Sequence, residues 1–76
     1  MKELVEYIAK SIVSHPEDVR VTEEEQEDGR VILRLEVAEE DKGKIIGRQG
    51  HVAQSIRALL RVAAVKRGTR AILDIV

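Results

Sequence analysis

Cysteine, phenylalanine and tryptophan are absent from the 76 residues, and tyrosine and proline occur once each. Without cysteine there is neither a disulfide framework nor a thiolate metal site, and a reducing cytoplasm is the expected setting. Without rings to place on strands, the chain lacks the stacking platforms of RRM and OB folds. Any base it holds must rest on aliphatic side chains. No apolar run is long enough to cross a membrane, and Met1-Lys2-Glu3-Leu4 is amphipathic and acidic rather than the start of a signal peptide, so no membrane partner is expected. His15 and His51 stand in no metal-ligand spacing, and Ser11, Ser14 and Ser55 have no base arranged near them in sequence. Gly43-Lys44-Ile45 lacks the hydroxyl and the spacing of a P-loop. No metal, cofactor or catalytic residue is read from the chain, and it is not expected to be an enzyme.

Charge, by contrast, is plentiful and unevenly placed. Residues 1 to 41 carry five basic and thirteen acidic side chains, a balance of −8, whereas residues 42 to 76 carry eight basic side chains against Asp74 alone, a balance of +7. The formal net charge of −1 therefore conceals a local positive face, and phosphates respond to the local field. The acidic half reads as solvated surface. A chain this short is one domain, residues 1–76, whose small core gains from extra burial at an interface.

Periodicity divides the chain into six elements. Leu4, Val5, Ile8, Ile12 and Val13 fall at helical spacing, Glu6 and Lys10 form a favourable i,i+4 pair, and His15-Pro16 ends the run. Val19 and Val21 alternate with charges as a short strand. Glu23 to Asp28 is too acidic to bury and reads as a solvent-facing loop leading to an Asp28-Gly29 turn. Val31, Leu33, Leu35 and Val37 make the clearest strand, with one buried face. Asp41 is placed to cap a short helix, Lys42 to Ile46, through its carboxylate. His51 to Arg67 is a longer helix closed by Gly68, and Arg70 to Val76 is a final strand. A right-handed crossover through the helix pair sets the last strand parallel to the Val31 strand, while the first strand pairs with it antiparallel. The fold class is α+β: helix-strand-strand-helix-helix-strand, with a mixed three-stranded sheet covered by helices on one face.

Between the two later helices lies Gly47-Arg48-Gln49-Gly50, a G-x-x-G turn. Glycine at both ends permits left-handed backbone angles and lets another backbone come close. The free N–H groups and positive dipole end of the following helix then face whatever approaches, which suits a phosphate. A plain tight turn would account for the glycines but not for Lys42, Lys44 and Arg48 around them. One of Ile45 and Ile46 must point into the core, leaving the other for a groove floor. The His51 to Arg67 helix is also more apolar than packing on one sheet face requires: Leu59 and Leu60 adjoin, and Val62 and Val65 continue around the far side. A dimer built partly on this helix is expected.

Gly43-Lys44-Ile45-Ile46-Gly47-Arg48-Gln49-Gly50, followed by Ala53 and Ile56, resembles the core of a KH domain, and the likeness extends over the whole chain. Ala53 stands where many KH domains have a branched aliphatic residue, as in the bacterial branch. The resemblance is to the small, stand-alone bacterial KH proteins of type II. It implies a non-enzymatic binder of single-stranded RNA, an RNA chaperone in post-transcriptional control linked to cell-wall homeostasis and cell length. It also implies pairing with itself and with a larger Jag-type KH protein. The implied contacts are Lys42, Lys44, Arg48, Gln49, His51 and Arg57 toward the RNA backbone, Gly47 and Gly50 as bare peptide, and Ile45, Ile46, Ala53 and Ile56 as the apolar floor. A protein-interaction module with an idle groove is the alternative.

Overall fold

Val31, Leu33 and Leu35 are buried while Ile32, Arg34 and Glu36 are not, so the central strand turns one face to the core. The computed structural model, which describes residues 1–76, builds everything else around this strand. In chain order the elements are α1 (Lys2–Ile12), β1 (Arg20–Glu25), β2 (Val31–Glu36), α2 (Lys42–Ile46), α3 (His51–Lys66) and β3 (Ala71–Ile75), with 3₁₀ turns at Pro16–Asp18, Glu39–Asp41 and Arg48–Gly50. The sheet order is β1-β2-β3, with β1 antiparallel and β3 parallel to β2. The α+β architecture, element order and strand directions are those read from the sequence.

Leu33 and Leu35 meet Val5 and Ala9 of α1, Ile45 of α2, Ile56, Leu60 and Ala64 of α3, and Leu73 of β3 in one apolar cluster. All three helices share the face of the sheet that β2 buries. Around α3 the buried positions recur every three or four residues, Ala53, Ile56, Leu60 and Ala64, which is the stripe a helix needs to pack on a sheet. Gly68, at φ 72°, closes it: Gly68 N–H donates to Val65 O and Thr69 N–H to Ala64 O, a Schellman ending that sends the chain straight back as β3.

Several local readings are corrected. The strand β1 does not stop at Val21 but continues through Glu25, because pairing with Val31 and Ile32 needs backbone groups rather than burial, and the three glutamates stay exposed. Lys2, not Lys10, pairs with Glu6, at 3.8 Å. The first helix ends at Ile12, before His15 and Pro16 are reached, and Pro16 opens a 3₁₀ turn instead. On the open face of the sheet Arg34 reaches both edge strands, with Nη1 2.6 Å from Glu24 and Nε 3.8 Å from Asp74. The hydrogen bond and charge of Glu24 raise the Arg34 pKa, and Arg34 in turn holds the Glu24 carboxyl below its usual range.

Asp41 has a different role from the one expected. Its side chain makes no capping bond to α2. It is 1% exposed, and its two oxygens accept the N–H groups of Ser14 and His15, each at 3.0 Å, so it fastens the chain after α1 to the start of α2. Lys44 Nζ stands 3.8 Å from the same carboxylate and also meets Ser14 Oγ. Burial opposes the charge, but the two backbone hydrogen bonds and the charge of Lys44 outweigh it and keep the carboxyl below its ordinary range. Asp41→Ala should lower the melting temperature on the order of 10 °C, since two donors lose their acceptor. A lowered folded pKa contributes stability above the unfolded value, about pH 4, and loses it as pH falls further. The gap between wild type and variant, followed by circular dichroism, should therefore be full at neutral pH and close in acid. A gap unchanged down to pH 2 would show that the charge contributes nothing.

Candidate nucleic-acid interface

Ile46 is followed by Gly47 at φ 75° and ψ 175°, an extended conformation open essentially to glycine alone, and α2 ends there. Gln49 (φ 56°, ψ 25°) and Gly50 (φ 76°, ψ 11°) are also left-handed, so three of the four turn residues have positive φ. The two glycines serve different ends. A Cβ on Gly47 would lie 2.7 Å from Val52 Cβ and 2.9 Å from Val52 N and would collide with Val52 Cγ2, so the first turn of α3 presses directly on it. Nothing lies within 4 Å of a Cβ on Gly50, which presents bare peptide to open space. The helix α3 then begins at His51 with no side-chain cap and no acidic residue in its first turn. The His51 N–H donates to Arg48 O of the preceding turn, and no side chain caps the N–H groups that follow, so the positive dipole end of α3 is open.

Beside the turn runs a cleft of about 490 Å³. One wall is helical, from Lys42, Ile46, Gly50, Ala53, Gln54 and Arg57; the other is the edge strand, from Asp74, Ile75 and Val76. Of the two isoleucines, Ile45 is fully buried and Ile46 is 44% exposed, so Ile46 supplies the floor together with Ala53. Ile45 and Ile56 are core residues that do not line the cleft, which corrects their place in the apolar floor, whereas Ala53, 3% exposed, does line it. Lys44 is held at Asp41 and Ser14 and does not line the cleft. Arg48 and Gln49 are exposed at the tip of the turn, and His51 is exposed at the head of α3 without lining the cleft.

Gln54, Ile75 and Val76 were missed by the sequence reading. A signal for the last two existed: a short turn between α3 and β3 makes them antiparallel, which brings the end of the strand to the start of the helix. Asp74 is the one side-chain carboxylate on the cleft, and Arg34 faces it from behind. Lys42 pairs with Glu39 at 3.2 Å, whereas Arg48, Arg57, Arg61, Lys66, Arg67 and Arg70 have no carboxylate within 4.0 Å. Arg48 at the turn and Arg57 on the cleft are thus electrostatically unspent. A larger hollow of about 700 Å³ at the opposite end is lined by Glu25, Asp28, Arg30, Arg67 and Arg70 with no hydrophobic residue, so it offers no apolar support for a base.

Two helices joined by a G-x-x-G turn and laid on a mixed three-stranded sheet define a KH domain. The model of the KhpA/KhpB KH-domain family matches residues 2–75, and the chain belongs to that family. It is 49% identical over 76 residues to the RNA-binding protein KhpA of Clostridium perfringens, covering all of both chains. To the protein of the same name from Listeria monocytogenes it is 41% identical over 76 residues, covering all of this chain and 99% of the other. Among solved structures, Aquifex aeolicus Era aligns with a TM-score of 0.55 and 17% identity over 99% of this chain and 30% of its own, a likeness of fold alone.

Proposed function

We propose that this chain is a non-enzymatic binder of single-stranded RNA that works through the Gly47 to Gly50 turn. The observation that carries this reading is the uncapped start of α3 beside exposed Arg48, opening onto a cleft with an Ile46 and Ala53 floor. Gly47, Gly50 and the first N–H groups of α3 take the phosphates, while Arg48, Lys42 and Arg57 supply charge and the aliphatic floor supports bases. Gln49 and His51 stand at the rim. The relatives named RNA-binding protein KhpA support the assignment. A titration of the protein against a pool of single-stranded RNA is expected to show binding that weakens linearly in log-log with salt. Affinity that ignores salt, or no binding at low salt, would overturn it.

The finer reading is of a cytoplasmic RNA chaperone in post-transcriptional control, tied to cell-wall homeostasis and cell length and partnered by a Jag-type KhpB protein. It rests on likeness to the small bacterial KH proteins. Self-association has a physical argument of its own. Leu59, Val62 and Val65 form an apolar ridge on α3 that is 51%, 57% and 70% exposed, and α1 does not cover it. The same ridge favours the alternative, a protein-interaction module with an idle groove, which salt-dependent RNA binding in the titration would exclude. Sedimentation equilibrium at micromolar concentration is expected to show a dimer, and Val62→Glu to return a monomer without loss of helix signal. A monomer unchanged on dilution in the wild type would end the dimer reading.

A further inference from the structure

We propose that the RNA path continues beyond the turn, along the seam between α3 and β3, into a second single-strand segment governed by Arg61 and Arg70. The proposal rests on the RNA-binding reading above and lengthens its site. Because α3 and β3 are joined by the Schellman turn at Gly68, they run antiparallel, and because β3 is an edge strand the seam between them is open along its length. The cleft at the glycine turn occupies one end of the seam. Toward the other end lies a second hollow of about 350 Å³, where Arg61, Ala64 and Val65 of α3 face Ala71 and Ile72 of β3, with Arg70 at the end.

Three observations give this hollow the same chemistry as the first. Ile72 of the edge strand is 42% exposed and Ala71 lines the hollow beside it, offering aliphatic support for a base. Arg61 and Arg70 are in no ion pair, Arg30, which also lines the hollow, is paired with Asp28 at 2.7 Å, and no carboxylate lines the hollow itself. Arg57, in the first cleft, and Arg61, in the second, are one helical turn apart on the same side of α3, so the charge is continuous between them. From Gly50 to Val65 the helix advances about 22 Å, longer than the single turn of backbone against which a G-x-x-G loop clamps about four nucleotides.

The test compares single-stranded RNAs of about five and about twelve nucleotides against the full chain and its Arg61→Gln/Arg70→Gln variant. Both arginines are exposed and unpaired, so circular dichroism should find the variant folded. The wild type is expected to bind the longer RNA about tenfold more tightly than the shorter. The variant should lose that gain, keep its affinity for the short RNA, and show a salt slope on the long RNA shallower by about 1.4, the value for two lost phosphate contacts. Wild-type affinity that does not rise with length overturns the proposal. So does a variant that keeps the gain, since the extra contacts would then come from a second copy's turn. A wild type that binds neither RNA removes the glycine-turn reading itself, and this extension with it.

Discussion

Replacing Arg48 and Gln49 together by aspartate is expected to abolish RNA binding while leaving the domain folded. The pair swings the tip of the turn by three charge units, and at about 1 kcal/mol per unit charge at 4 Å in water the loss is about 3 kcal/mol, or roughly a hundredfold in affinity. The fold should scarcely respond. Arg48 is exposed with no ion-pair partner to lose, and Gln49 already sits at φ 56°, where a short aspartate is at least as well tolerated as glutamine. Fluorescence anisotropy beside a thermal melt separates the two effects. A variant with an unchanged melt and wild-type affinity would take the turn out of the interface.

The largest effect on stability is expected from Gly47→Ala. The methyl group meets both the side chain and the backbone nitrogen of Val52, and the backbone holds an angle that alanine strongly resists. Together these cost on the order of 3 kcal/mol or more. Set against roughly 4–11 kcal/mol for a domain of this size, much of the stability disappears, and RNA binding goes with it as the turn shifts. Trimming Val52 to alanine in the same chain should restore only part of the loss, because the clash with the backbone nitrogen and the strained φ remain. Gly50→Ala makes the contrasting case: with open space around it, only the left-handed angle opposes the change, at about 1 kcal/mol. Its binding defect should exceed its stability defect, since the new methyl group stands on the wall of the cleft. Denaturant unfolding of the three variants decides the order. A Gly47→Ala protein as stable as Gly50→Ala would show that the packing against Val52 is not as described.

The fold was legible because its strongest signals are local. Alternation over Val31 to Val37, glycines at positions 47, 50 and 68, and the apolar spacing of α3 each fix an element without help from the rest of the chain. Asp41 shows where that reasoning fails. A carboxylate before a helix is ordinarily a cap, but here the N–H groups of Ser14 and His15, 27 and 26 residues away in sequence, compete for it and win. The glutamates of β1 show the same limit from the other side: their charge forbids burial but not pairing. In the candidate site, spacing gave the turn and that one of Ile45 and Ile46 must leave the core, without saying which, whereas Ile75 and Val76 depend on which strand forms the edge of the sheet, a property of the whole fold. The assignment of Ile45 and Ile56 to the floor failed because helical spacing says which residues share a face, not how deep the face lies.

The glutamates Glu23, Glu24 and Glu25 lie on β1, the edge of the sheet farthest from the cleft, two strand spacings or about 10 Å from β3. That distance is close to the screening length of physiological salt, about 8 Å. An RNA strand on the positive side therefore feels this edge as a weak fence rather than as a neutral surface, and a strand that strays across the sheet is pushed back. Arg34 discharges only one of the three carboxylates. The result is a narrow track with a repelling margin, on which a bound strand has few places to spread and little to hold it once its few phosphate contacts break.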